Sequence, residues 1–241
     1  MAAPATIHLH PTAPLAERVL LPGDPGRALR LAQALLDSPL MFNHNRGLWG
    51  YTGGARDGQP LTIQSTGMGG PSAAIVIAEL GQLGARRLVR IGTCGGLDAP
   101  LSLGDLVIAT EALSRDGTSA ALDARGRLSP DPELRESLLS AAASPAVGAT
   151  THSGPIVSTD LFYDVPEGED QEWVRAGALA VDMESATLFA LAARRGLRAA
   201  SLLVVSDLLN PSRVRIEAEP LHAAERRMGE VAVDALISET G

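Results

Sequence analysis

The run Leu88–Gly96 (LVRIGTCGG) does most to limit how this chain can fold. Leu88, Val89, Ile91 and Cys94 surround a single arginine, Arg90, and the run breaks at Gly95-Gly96. An apolar, β-branched segment of this length closed by glycine reads as a strand buried on both faces of a sheet. An arginine in such a strand is anomalous, because an unpaired guanidinium in a low dielectric is very costly. Arg90 must therefore pair with an internal Asp or Glu, or leave the sheet at its open end to face a bound anion. On this stretch alone the internal salt bridge is the better account.

The chain on either side repeats one pattern of strand, glycine turn and helix. Arg18–Leu21 is a short strand stopped by Pro22-Gly23-Asp24-Pro25, and Arg27–Leu36 has helical spacing. Leu48–Gly54 and Leu61–Thr66 form strands around Asp57-Gly58, a hairpin signal. Gly67-Met68-Gly69-Gly70 leads into the helix Ala73–Leu83. Asp105–Thr110 is a strand, Asp116-Gly117 a turn, Asp131–Ala143 an amphipathic helix and Ala149–Val157 another strand. Glu167–Arg175 is acidic and reads as a solvated loop with a short helix. Leu179–Asp182 leads into the helix Met183–Arg195, Ala199–Val205 is a last buried strand, and Leu221–Ile237 is the final helix. This alternation predicts one α/β domain over residues 1–241, with a central, largely parallel or mixed sheet flanked by helices. Ligands of such sheets sit beyond the carboxyl ends of the strands.

Composition narrows the partners. A net charge of -8 argues against nucleic acid or an anionic membrane surface. A lone cysteine, Cys94, allows no intramolecular disulfide, which fits a reducing cytoplasm. No apolar run is long enough to span a bilayer, and MAAPATIHLHPTAP lacks the basic and apolar regions of a signal peptide. By composition, that polar tail with its two histidines reads as disordered.

Arg27 after the PGDP turn, Arg46 in Asn45-Arg46-Gly47 and Arg90 on the central strand are singly ordinary. Together with the glycine turns they describe an oxyanion site, because arginine's planar fork suits bidentate phosphate contacts. Thr93 adds a hydroxyl at the same strand end. None of the turns is a P-loop or a GxGxxG fingerprint, which argues against ATP or NAD. Asp182-Met183-Glu184 lies where a strand becomes a helix; capping explains one acid, and Glu184 could take two vicinal hydroxyls of a ribose. Asp207, after ASLLVVS, is equally a turn residue or a general acid.

The ordered series PGDPGR, NRGLWGYTG, STGMGGPSAAI, LVRIGTCGGL, GDLVIAT, STDLFY, VDMESATLFALAARRGLRA and VVSD resembles the bacterial nucleoside phosphorylase family, which includes hexameric purine nucleoside phosphorylases and uridine phosphorylases. The resemblance runs from about Thr6 to Asp207 and resumes weakly at Ala223-Ala224-Glu225-Arg226. It implies the nucleoside phosphorylase fold, with a partly barrel-like sheet, and reversible phosphorolysis of purine nucleosides or deoxynucleosides in nucleoside catabolism and purine salvage. Inorganic phosphate would be the co-substrate, with no cofactor and no metal.

The resemblance also implies roles. Gly23, Arg27, Arg90 and Thr93 would hold phosphate. Arg46 would reach the phosphate and His8 the ribose 5′-hydroxyl, both lent by a neighbouring subunit in a hexamer built as a trimer of dimers. The arm 1–14 would then lie at a subunit interface. Met68, Cys94, Gly95, Val181, Asp182, Met183, Glu184 and Ser206 would line the nucleoside pocket, and Phe162 would stack on the base. Asp207 would protonate the purine N7, and Arg226 is a further candidate for the site.

Some residues depart from the family pattern. Thr93 stands for the serine usual in purine enzymes, Thr66 for a histidine, and the stretch from Asp207 to Arg226 is longer than usual. Uridine phosphorylases carry a Gln-x-Arg pair after the Phe-Tyr motif; here Gln171 is followed by Trp173 two residues on, which together with Ser206-Asp207 favours the purine branch. Uridine phosphorylase, a hydrolytic nucleosidase of the methylthioadenosine type and a non-catalytic nucleoside-binding protein are the alternatives.

Overall fold

The arginine-bearing run is β5 (Arg87–Gly96) in the computed structural model of the chain, which describes residues 6–97 and 100–238. Of the expected arm 1–14, residues 1–5 lie outside the described residues. Along one edge β5 pairs in parallel with β1 (Arg18–Leu21), and its last two residues pair antiparallel with β9 (Ala180–Asp182). Its other edge pairs in parallel along its whole length with β10 (Arg198–Leu208).

The other strands are β2 (Asp37–Asn43), β3 (Gly50–Gly54), β4 (Pro60–Gln64), β6 (Leu106–Arg115), β7 (Gly126–Leu128), β8 (Thr151–Thr159) and β11 (Val214–Arg215). The sheet runs β11-β10-β6-β8-β9-β5-β1-β4-β3-β2, with β7 beside β6. Because β10 also pairs with β5, the strands β5, β9, β8, β6 and β10 close into a ring. The expected mixed, partly barrel-like α/β sheet is thus present.

Helices cover the sheet on both sides, as a doubly buried strand requires. The helices α1 (Pro25–Leu35), α4 (Pro132–Ala142) and α7 (Ala218–Ser238) share one apolar cluster with Val89, Ile91, Leu202 and Val204. The helices α2 (Gly70–Leu83) and α6 (Ser185–Arg195) share another with Leu88, Cys94, Leu203 and Val205. Alternate residues of β5 and β10 therefore feed opposite cores, which is the period-two rule of a strand. Two short helices, α3 (Gly117–Ala121) and α5 (Glu169–Arg175), complete the described set.

Local chemistry sets the helix ends. Asp24 and Asp131 accept the N–H groups of Arg27 and Leu134 as N-caps, each followed by proline in the first turn. Gly84 (φ 116°) closes α2 in the left-handed region that side chains avoid.

Several sequence expectations need correction. Asp37–Asn43 is a strand although it contains Pro39; it is the last strand of the sheet, where a missing N–H breaks no inner ladder. Asp116-Gly117 is the start of α3, with Asp116 accepting the Ser119 N–H, rather than a bare turn. The strand at Asp105–Thr110 runs on to Arg115, and the last buried strand continues through Ser206 and Asp207 to Leu208. The polar tail is ordered from residue 6 to residue 12 by hydrogen bonds to the body, described below.

Candidate functional site

Arg90 is 5% exposed and pairs with both carboxylates of the Asp182-Met183-Glu184 segment. Its Nε donates to Asp182 Oδ2 at 2.8 Å, and its Nη2 lies 2.6 Å from Glu184 Oε2. Burial opposes the charge on Arg90, and Glu184 and Asp182 more than offset it. The side chain lies flat over Gly92, two residues on and on the same face of β5. A Cβ there would sit 2.6 Å from Arg90 Nη2.

Asp182 has both oxygens engaged inside the protein. It accepts the hydroxyls of Ser158 and Ser185 at 2.6 Å each, as well as the Ser185 N–H at the start of α6. Glu184 accepts the Gly69 N–H at 2.6 Å, so its charge sits at the N-terminal end of α2, where the helix dipole favours an anion. Burial and the neighbouring Asp182 still raise its carboxyl above the usual range, against the pull of Arg90 and the Gly69 N–H. Met183 is half-buried between the two acids, and Met68, beside Gly69, is 86% exposed.

Arg27 is held in the same manner. Its Nε donates to Glu225 Oε1 at 2.7 Å and its Nη1 to the Ile91 carbonyl of β5 at 3.4 Å. Arg30, one turn along α1, also binds Glu225, at 2.8 Å. Each guanidinium is thus gripped by a carboxylate through Nε. A guanidinium carries five N–H donors, so both keep unused ones for an anion. The salt-bridge and anion readings of Arg90 are therefore compatible. The Pro22-Gly23 turn lies alongside the Thr66-Gly67 turn: the Thr66 and Gly67 N–H groups donate to the Pro22 and Gly23 carbonyls.

Thr93 and Gly95 share a face of β5 and are partly exposed at its carboxyl end. Gly95 pairs with Val181 of β9 and packs beneath Leu209. Across from it the β10 register slips between Val205 and Asp207, leaving Ser206 as the extra residue of a β-bulge. Bulges are common next to functional sites because they re-aim side chains. Asp207 is 3% exposed, and its Oδ2 accepts the Ser206 hydroxyl at 2.7 Å. Its buried Oδ1 has no hydrogen-bond partner. The Arg215 Nη1 stands 3.7 Å from that oxygen, since Arg215 of β11 pairs directly opposite Asp207. The buried Cys94 thiol is pushed up, chiefly by burial, and it feels Asp182, Arg90 and Asp207 together. Cys94 pairs with Val205, two residues before Asp207, and shares its face of β5 with Arg90, so strand register brings these groups into one neighbourhood.

Phe162 is 40% exposed and carries the Arg213 guanidinium 4.5 Å from its ring centroid, a cation–π contact. The stretch after Asp207 thus places Leu209 on Gly95, Arg213 on Phe162 and Arg215 by Asp207. Sequence reasoning assigned these three nothing; an arginine every second residue in Arg213-Val214-Arg215 was the available signal.

His8 and Arg46 gather elsewhere. Asn45 Nδ2 donates to the His8 carbonyl, and Arg46 is exposed at φ 57° in the adjoining turn. The N–H groups of Ile7, His8 and Leu9 converge on the Glu79 carboxylate of α2, and His8 Nδ1 meets the same group at 2.7 Å. Glu79 lies nine residues beyond Gly70, roughly 13 Å along the helix from the end that holds Glu184.

Arg226 is not drawn into this cluster within the protomer. It is exposed on α7 and paired with Glu230; its neighbour Glu225 is the residue that turns inward, to Arg27.

The chain matches the model of the phosphorylase superfamily over residues 17–238. It is 38% identical over 223 residues to a DeoD-type purine nucleoside phosphorylase of Roseobacter denitrificans, covering 92% of this chain and 93% of that protein. A DeoD-type enzyme of Clostridium perfringens is 40% identical over 234 residues, covering 93% and 95%. A guanosine phosphorylase of Halorubrum lacusprofundi is 40% identical over 194 residues, covering 80% and 79%.

Proposed function

The chain belongs to the phosphorylase superfamily, and from that premise we propose that it is a purine nucleoside phosphorylase, a pentosyltransferase that cleaves purine nucleosides with phosphate. The relatives' names share a purine base as the group released. The observation that carries the reading is the pair of guanidiniums, Arg27 and Arg90, clamped at β5 in the same neighbourhood as Glu184 and an Asp207 whose Oδ1 accepts no hydrogen bond.

Phosphate, taken by the unused N–H groups of Arg27 and Arg90 with Thr93 and the Gly23 turn, attacks the anomeric carbon. The bond from that carbon to N9 breaks as the carbon–oxygen bond forms. The products are free base and ribose 1-phosphate. Glu184 and Met183 hold the sugar, Met68, Val181, Cys94, Gly95 and Ser206 line the pocket, and Phe162 takes the base once Arg213 lifts from its ring. Asp207 Oδ1 delivers a proton to N7, so the base leaves neutral. A sugar that gains positive character is stabilised by the anion beneath it. Phosphate serves as co-substrate and no further cofactor enters the reaction.

Charge supports a shared site. Within one protomer Arg27, Arg30 and Arg90 face Glu225, Asp182 and Glu184, which leaves no positive surplus for a phosphate dianion. Arg46 and His8 sit on another surface, as residues lent to a neighbour would, which supports a homo-oligomer with shared sites; we place it in the cytoplasm. Among the described residues no helix is long and apolar enough to cross a membrane.

The test is turnover of inosine, guanosine, adenosine and uridine side by side, with and without phosphate. Phosphate-dependent release of purines, with uridine far slower, is expected. Release of adenine without phosphate would make the protein a nucleosidase, and tight binding without turnover a carrier.

A further inference from the structure

The Glu79 carboxylate is the most heavily hydrogen-bonded point of the N-terminal arm, although none of the residues in the proposed phosphate or base pockets touches it. Its Oε1 accepts the Ile7 N–H at 3.2 Å and the His8 N–H at 3.1 Å, and its Oε2 accepts the Leu9 N–H at 2.7 Å. His8 Nδ1 lies 2.7 Å from Oε1. Three successive backbone donors and one ring nitrogen thus converge on one carboxylate, which is largely buried at the side of α2. Leu9 is fully buried at the same place, and Asn43 and Asn45 pin the arm from the other side through the His10 N–H and the His8 carbonyl. Burial alone would raise the Glu79 carboxyl; the His8 ring and the Leu9, His8 and Ile7 N–H groups more than reverse this and hold it below the usual range. It is therefore a carboxylate at neutral pH, and a carboxylate can only accept.

We propose that Glu79 is a positioning residue that fixes His8 in a single tautomer, with Nδ1 as donor to Glu79 and Nε2 as acceptor, so that the neighbouring site selects nucleosides whose 5′ group donates a hydrogen bond. The proposal rests on the reading above that His8 meets the ribose 5′ position of an adjoining subunit. A neutral imidazole whose Nδ1–H is committed to a carboxylate presents only a lone pair at Nε2, whereas an imidazolium would donate from both nitrogens. A free 5′-hydroxyl satisfies that lone pair, whereas a 5′-deoxy or 5′-alkylthio sugar leaves it unpaired. The three backbone contacts keep the ring from retreating when the hydroxyl is missing. The selectivity is thus set by a residue that never touches substrate.

The test compares kcat/KM for inosine and 5′-deoxyinosine in the parent, Glu79→Gln, His8→Ala and the double variant. In Glu79→Gln the amide oxygen still accepts backbone N–H groups, so the arm keeps most of its anchorage. Oriented with its oxygen at the Oε2 position, where it keeps the His8 and Leu9 N–H groups, the amide turns its NH2 to Nδ1, where it can only donate, and the ring's tautomer reverses. The expected result is that E79Q lowers the preference for inosine about tenfold, the worth of one hydrogen bond. The double variant should discriminate no worse than H8A. A merely structural role for Glu79 would slow both substrates equally and leave the ratio untouched, which overturns the proposal. Loss of discrimination in H8A but not in E79Q overturns it while sparing the His8 assignment. Unchanged discrimination in H8A refutes that assignment and the proposal together.

Discussion

Replacing Gly92 with alanine isolates the geometry of Arg90 from its charge. Gly92 is not among the glycines with positive φ, so the backbone accepts alanine without strain. The added Cβ would stand 2.6 Å from Arg90 Nη2 and 2.7 Å from Cζ, whereas ordinary contact begins at 3.4 Å. The guanidinium must move by about 0.8 Å, the gap between contact and clash. It is not free to do so at no cost, because Asp182 and Glu184 grip it at 2.8 and 2.6 Å and it is buried. A displacement of this size at a substrate-positioning group costs roughly 30- to 100-fold in rate, about 2 to 3 kcal/mol of transition-state stabilisation. With phosphate varied at saturating inosine, G92A should show that loss in kcat/KM for phosphate, with an unchanged circular dichroism spectrum. A folded G92A enzyme with parental phosphate kinetics would refute the placement of phosphate against Arg90.

Asp207→Asn should lower kcat about 10²-fold or more, with nucleoside KM within a few-fold, because it removes a proton donor and keeps the shape; equal activity in mutant and parent would end the general-acid role. Inactive Arg46→Ala and Asp207→Asn proteins, unfolded together and reassembled, should recover activity if Arg46 completes a neighbour's site, and no recovery would show each protomer to be self-sufficient. Asp131 links the cap of α4 to Arg198, and the Arg198 and Leu134 contacts overcome burial to hold its carboxyl below the ordinary value of 3.8. A depressed carboxyl contributes stability above its unfolded pKa that is lost as pH falls through the folded one. Asp131→Asn should therefore melt lower than the parent at neutral pH, with the gap closing as pH drops below 3.8; a gap that is constant with pH would assign the loss to the cap alone.

The ordered motifs were enough to locate most of the strand ends that carry the site. The strand ends at Gly95-Gly96 and at Asp182 were readable because glycine turns and strand-to-helix junctions are short-range features. What was illegible depended on distant pairings. Nothing near Glu225 marks it as the partner of Arg27, since α1 and α7 meet only in the folded chain. The i, i+4 spacing of Arg226 and Glu230 was visible, yet which side of α7 faces inward is decided by Glu225 and the core. Asp37–Asn43 hid as a strand because its proline is tolerated only at a sheet edge, and edges cannot be read before strand order is known. Glu79 is the single acid of α2, and nothing near it in sequence marks it as the anchor of the N-terminal arm.

The closing of the ring has a consequence for how an active molecule is born. Arg90 belongs to β5 and Asp207 to β10, and these two strands pair from Arg87 with Arg198 to Gly96 with Leu208. A chain emerging from the ribosome can form β1, α1 and the β3–β4 hairpin from near neighbours and can lay β5 against β1, but the other edge of β5 must wait until β10 has been made. Pairings of such sequence separation pay their loop-closure entropy late and are slow to form. Arg90 and Asp207 are consequently brought onto neighbouring strands by one of the last joints to be made. Chains that stop short of β10 lack Asp207, and on the proposed mechanism such chains are catalytically silent until the ring is shut.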